Sequence, residues 1–126
     1  MGKRSYAEKL YKNFDFVYDL ENENLENIKN HSGLILILNL QAGVKNLLQK
    51  NQNVLETFEN KLEILRNSIL TGDEISSGVI PVSKFERQWR DETGKLYQFL
   101  AGEADIVDRI FAGLPLRLKN KREEKN

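Results

Sequence analysis

The chain has no cysteine, two prolines and a single histidine, and its charges cancel, 19 basic against 19 acidic. Without cysteine, disulfides, thiolate nucleophiles and Cys-based zinc sites are excluded. Pro81 and Pro115 are placed where helices would begin or end, so the rest of the chain is free of the strongest helix breaker. Zero net charge lacks the basic excess of a dedicated nucleic-acid binder. No apolar run approaches the roughly 18 residues a membrane span needs. Met1 to Lys12 contains no apolar stretch of the kind a secretory signal carries. These absences read as a cytoplasmic chain with no membrane partner.

Motifs for chemistry are equally scarce. A lone His31 supplies neither a zinc cage nor a nucleophile–base pair, and beside Ser32-Gly33 it fits the negative end of a helix. The residue three before it is Ile28, so the Glu-x-x-His pair of di-iron bundles is missing. There is no G-x-x-x-x-G-K-[ST], no G-x-S-x-G and no G-x-G-x-x-G. Thr71-Gly-Asp-Glu74 lacks the spaced oxygen ligands of an EF-hand. Acidic clusters at Glu21, Glu23 and Glu26 and at Asp91 and Glu92 read as solvated faces. The sequence thus gives no catalytic residue, no metal ligand and no cofactor site, and points to a non-enzymatic protein.

What is present is a 3–4 rhythm of apolar residues. Its longest stretch is Leu34, Leu38, Gln41, Val44, Leu48, Asn51, Leu55, Phe58, Leu62, Leu65, Ile69. A helix turns once in about 3.6 residues, so this spacing forms one stripe. A first stripe runs Ala7, Tyr11, Phe14, Tyr18, Glu21, Leu25, Ile28, opened by the capping box Ser5-Tyr-Ala-Glu8. A third runs Phe85, Trp89, Glu92, Leu96, Phe99, Glu103, Ile106, Ile110, opened by Ser83-Lys-Phe-Glu86 and stopped by Gly113 and Pro115. The spacing predicts an all-α fold, an antiparallel bundle of three long helices at about 5–31, 34–71 and 83–112. It becomes four if the second helix breaks near 51–53, where Asn53 and Glu56 match a fresh cap. The phase of the stripe favours one unbroken helix.

Two stretches compete with this reading. Phe14-Asp-Phe-Val-Tyr-Asp-Leu20 alternates with period two like a half-buried strand, and Leu34 to Leu40 would serve as a second strand. The capping box and the longer 3–4 rhythm outweigh them. Residues 1–116 then form one helical domain. Residues 117–126 form a basic, disordered tail in which Arg117, Lys119, Lys121, Arg122 and Lys125 face only Glu123 and Glu124.

A second apolar stripe on helix two, Leu36, Leu40 and Leu47, is the expected protein-binding surface. The chain would act by protein–protein association, as a self-associating subunit (a homodimer paired like a coiled coil), an adaptor or an inhibitor. The alternative is a helical accessory subunit of a nucleoprotein complex, contacting nucleic acid weakly through Arg117, Lys119, Lys121 and Arg122.

Overall fold

The computed structural model describes residues 14–73 and 83–104 in full, and 106–111 and 114–120 at the level of the backbone. Among these residues the architecture is α/β. Strand β1 (Phe16–Asp19), strand β2 (Ile35–Leu38) and strand β3 (Ser68–Leu70) form a parallel sheet in the order β1-β2-β3. A short 3-10 turn (Leu25–Asn27) lies between β1 and β2. Helices α1 (Leu40–Gln49), α2 (Val54–Glu59) and α3 (Leu62–Arg66) connect β2 to β3. Helix α4 (Lys84–Glu103) follows, and strands β4 (Ile106–Phe111) and β5 (Leu114–Asn120) pair as an antiparallel hairpin.

The all-α bundle is therefore corrected at each of its three helices. Residues 14–31 contain β1 and a 3-10 turn rather than a continuous helix. Residues 34–71 contain two strands and three short helices. The third helix ends at Glu103, short of 112. The Ser5 capping box, Ala7 and Tyr11 lie outside the described residues. The tail expected from 117 onward is entered by β5, which runs to Asn120.

The physical reason centres on β2. All four of its residues are buried, Leu36 and Ile37 completely. A central strand of a parallel sheet is covered on both faces and so reads as a continuous apolar run. Ile35 and Ile37 join the main core with Val44, Leu47, Phe58, Leu65 and Leu96, while Leu36 and Leu38 pack with Phe14 and Ile69. Residues apolar on every side of a putative helix are here apolar on both sides of a strand.

The 3–4 rhythm marks part of the core, since Leu38, Val44, Phe58 and Leu65 are buried while Asn51 on the same stripe is exposed, and it does not report continuity. Val44, Phe58 and Leu65 belong to three separate helices laid on one sheet. Two asparagines set the break. Asn51 takes a left-handed conformation (φ 57°), and the bonds Gln52 N–H to Leu47 O at 2.9 Å and Asn51 N–H to Leu48 O at 3.1 Å complete a Schellman closure of α1. The Asn53 side chain then accepts from Glu56 N–H at 3.0 Å and starts α2. Ser83 starts α4 in the same way, accepting from Glu86 N–H at 3.0 Å.

Candidate functional site at the carboxyl edge of the sheet

All three parallel strands end on one edge, and each hands over there to polar residues. Asp19 ends β1, Asn39 follows β2, and Thr71-Gly72-Asp73 follows β3. Parallel alignment brings these carboxyl ends together, the usual position of ligand crevices in open α/β sheets. The backbone knits the edge: Leu20 N–H donates to Leu38 O at 3.0 Å, Thr71 N–H to Ile37 O at 2.9 Å and Leu40 N–H to Thr71 O at 3.1 Å.

A chain of side-chain bonds crosses the same edge. One Asp19 carboxylate oxygen accepts from Glu21 N–H at 3.0 Å and from Asn39 Nδ2 at 2.8 Å. Gln41 Nε2 donates to Asn39 Oδ1 at 3.3 Å, and Gln41 Oε1 accepts from Asp73 N–H at 2.9 Å. Tyr97 OH donates to Asp73 O at 2.6 Å. Gly72 makes this approach possible, because a Cβ there would collide with the Tyr97 hydroxyl. Asn39 adopts φ 61°, ψ 55°, a conformation in which asparagine is over-represented. Its turn converts strand into helix within one residue.

Beside this network an open cleft of about 320 Å³ lies between the exposed side of α1 and α4. Leu20 and Ala42 line it along with Glu21. Helix α1 contributes Gln41, Lys45, Asn46 and Gln49, one face at helical spacing, and α4 contributes Trp89. Trp89 is fixed by its indole N–H, which donates to Gln41 O at 2.8 Å. The Lys45 ammonium stands 5.0 Å from the centre of the indole. Among the described residues no group of three His, Asp or Glu side chains could hold a metal ion. No described helix is long and apolar enough to cross a membrane.

The structure places the sequence-predicted residues elsewhere. Leu36, Leu40 and Leu47 are 0%, 4% and 2% exposed, inside this chain's own core. Their expected role rested on a continuous second helix, and Leu36 is on a strand while Leu40 and Leu47 are on α1. Arg117 and Lys119 fall on β5, opposite Asp108 and Val107 in the hairpin register. Lys121 and Arg122 lie outside the described residues. His31 closes no helix. It precedes β2, stacks on Phe16 at 3.6 Å between ring centres and 14° between planes, and bonds through Nε2 to Tyr18 OH.

Sequence reasoning missed Asp19, Asn39, Asp73 and the role of Gln41 and Trp89. A signal existed: both strand-like stretches, Phe14–Leu20 and Leu34–Leu40, carry a carboxylate or carboxamide next to last. A polar residue closing an apolar run is what the carboxyl edge of a parallel sheet produces.

Comparison with known proteins adds an independent line. Residues 4–118 match the family model CobU, described as cobinamide kinase / cobinamide phosphate guanyltransferase. The bifunctional adenosylcobalamin biosynthesis protein CobP of Pseudomonas aeruginosa is 38% identical to this chain over 53 residues. That stretch is 42% of the chain and 31% of the relative, so the match spans about a third of the relative's length. These matches, with the parallel sheet, overturn the expectation of a non-enzymatic adaptor, inhibitor or nucleoprotein subunit, and with it the helical bundle and coiled coil.

Proposed function

The chain belongs to the cobinamide kinase / cobinamide phosphate guanyltransferase family, and from that premise we propose that it takes part in the transfer of phosphoryl or guanylyl groups to cobinamide during adenosylcobalamin synthesis. A kinase step moves the terminal phosphoryl group of a nucleoside triphosphate onto a hydroxyl of the acceptor and releases the diphosphate. A guanylyl step joins the GMP unit of GTP to the acceptor's phosphate and releases pyrophosphate. Both need an acceptor held still beside a phosphate chain, since positioning and electrostatics supply most of the acceleration in phosphoryl transfer.

The observation that carries this reading is the family match over residues 4–118 falling on a parallel sheet whose carboxyl edge is polar and cleft-bearing. Asp19, Asn39, Gln41 and Asp73 form a hydrogen-bonded ridge there, and the cleft opens next to it. The 126 residues contain no G-x-x-x-x-G-K-[ST] run, the common backbone cradle for nucleotide phosphates.

The test separates the two steps. The chain is incubated with Mg²⁺, either ATP or GTP, and either dicyanocobinamide for the kinase step or dicyanocobinamide phosphate for the guanylyl step, and the corrinoids are resolved by reversed-phase chromatography and mass spectrometry. A corrinoid heavier by one phosphoryl or guanylyl group is the expected product. No heavier corrinoid with either nucleotide overturns the reading.

A further inference from the structure

The cleft beside α1 has a chemical character that the transfer reaction alone does not explain. Four polar side chains line it without a hydrogen bond of their own among the described residues: the Glu21 carboxylate, the Lys45 ammonium and the carboxamides of Asn46 and Gln49. One of these is acidic, one basic and two neutral, so the set carries no net charge. The half-buried Trp89 indole adds a flat apolar wall, with the Lys45 ammonium 5.0 Å from its centre. Pocket ligands are oriented by a few such convergent polar groups against an aromatic surface.

A phosphate chain is a poor match to this lining. Anions favour basic side chains and unengaged N–H groups at a helix start. Here one ammonium faces one carboxylate. The start of α1 is already engaged, Leu40 N–H with Thr71 O and Ala42 N–H with Asn39 O. A neutral ligand fringed with carboxamides matches better. Each carboxamide offers donors and an acceptor together, so Asn46 and Gln49 can pair with ligand amides in both directions. A ligand amide N–H would find the Glu21 carboxylate and a ligand amide C=O the Lys45 ammonium, and bonds to charged groups are the stronger kind.

We propose that this cleft holds the carboxamide-bearing rim of the corrinoid acceptor, with the macrocycle edge laid on Trp89 and the nucleotide bound outside it. The proposal rests on the cobinamide reading above and assigns the acceptor's own seat within it. At about 320 Å³ the cleft takes one edge of such a ligand, and its open mouth leaves the remainder outside. Lys45 moves off the indole as the rim enters and becomes a hydrogen-bond donor to it.

The test is equilibrium dialysis of the full chain against dicyanocobinamide, with GTP binding measured in parallel. Replacing Asn46 and Gln49 together by leucine removes two neutral hydrogen-bonding groups and should weaken cobinamide binding about 10- to 100-fold, at roughly tenfold for each bond of ordinary strength. The Trp89→Leu variant, which removes the flat wall, should weaken it by a similar factor. GTP binding should change less than twofold in both. Circular dichroism confirms that each variant is folded. Cobinamide affinity unchanged in both variants overturns the proposal, as does a loss confined to GTP. Cobinamide binding by the wild-type chain without group transfer would remove the transfer reading and leave the cleft assignment standing. Transfer that survives unchanged in both variants would do the reverse.

Discussion

Asn39 donates its side-chain N–H to Asp19 at 2.8 Å and so ties together the ends of two neighbouring parallel strands. It does this from a left-handed backbone, φ 61°. The two contributions can be separated. Glycine tolerates that backbone but lacks the side chain, and alanine lacks the side chain and is strained. Asn39→Gly should therefore lose about 1–2 kcal/mol, the net worth of the side chain's bonds to Asp19 and Gln41. Asn39→Ala should lose about 1–2 kcal/mol more, the cost of a left-handed conformation for a residue with a Cβ. Urea unfolding followed by circular dichroism reads both. Equal losses would show that the strand-to-helix turn imposes no strain.

Trp89 links α4 to α1 through one polar atom. Its indole N–H reaches Gln41 O at 2.8 Å, while Lys45 sits over the ring. Trp89→Phe keeps an aromatic surface and leaves that carbonyl without its donor. The expected loss is about 1 kcal/mol, the net worth of one hydrogen bond. Lys45→Met removes only an exposed cation–π contact and should change stability by no more than about 0.5–1 kcal/mol. Chemical denaturation of the two variants, side by side, checks the order. A larger loss for Lys45→Met would mean that the ammonium, not the indole N–H, holds the helices together.

These residues also show what the sequence does and does not display. Burial was legible in part: Val44, Phe58, Leu65 and Leu96 lie on the expected inward stripes and are in the core, but Leu47, expected on a protein-binding surface, is in the core as well. The local caps at Asn53 and Ser83 were legible too, because a cap is a contact between residues three apart. Element type was not. Short helices and a central strand share apolar density, and over four residues period two and period 3.6 give similar patterns. Parallel pairing made this worse, since β1 meets β2 in the register Phe16↔Ile35 across an intervening loop and β2 meets β3 across three helices. Nothing local encodes such partners. The site suffered most, because Asp19, Asn39 and Asp73 become neighbours only through that pairing.

The burial of Leu47 turns an expectation about association into one about folding. Had Leu40 and Leu47 formed an interface, glutamate at either position would have separated an oligomer and spared the helix. At 4% and 2% exposure, each instead places a carboxylate in the core of its own chain. A buried unpaired charge is far costlier than a lost contact. Leu47→Glu should abolish cooperative unfolding and the folded circular dichroism signal, and Leu47→Ala should cost about 2–5 kcal/mol with the fold retained. A folded, monomeric Leu47→Glu variant would return the interface reading.

Thr93 offers a substitution with the opposite sign. It lies on α4, 2% exposed, and its hydroxyl oxygen has no hydrogen-bond partner among the described residues. A hydroxyl buried without a partner loses its water and gains nothing in return, at a cost of about 1–3 kcal/mol. Thr93→Val exchanges that hydroxyl for a methyl of nearly the same size and keeps the β-branch. It should stabilise the chain by about 1 kcal/mol and raise the melting temperature by roughly 3–5 °C. Thr93→Ser keeps the hydroxyl and deletes the methyl, so it should destabilise by about 1 kcal/mol through the lost packing. Thermal unfolding of the pair decides between polar and apolar roles for this side chain. If valine destabilises and serine does not, the hydroxyl is bonded in solution and the position is a polar one.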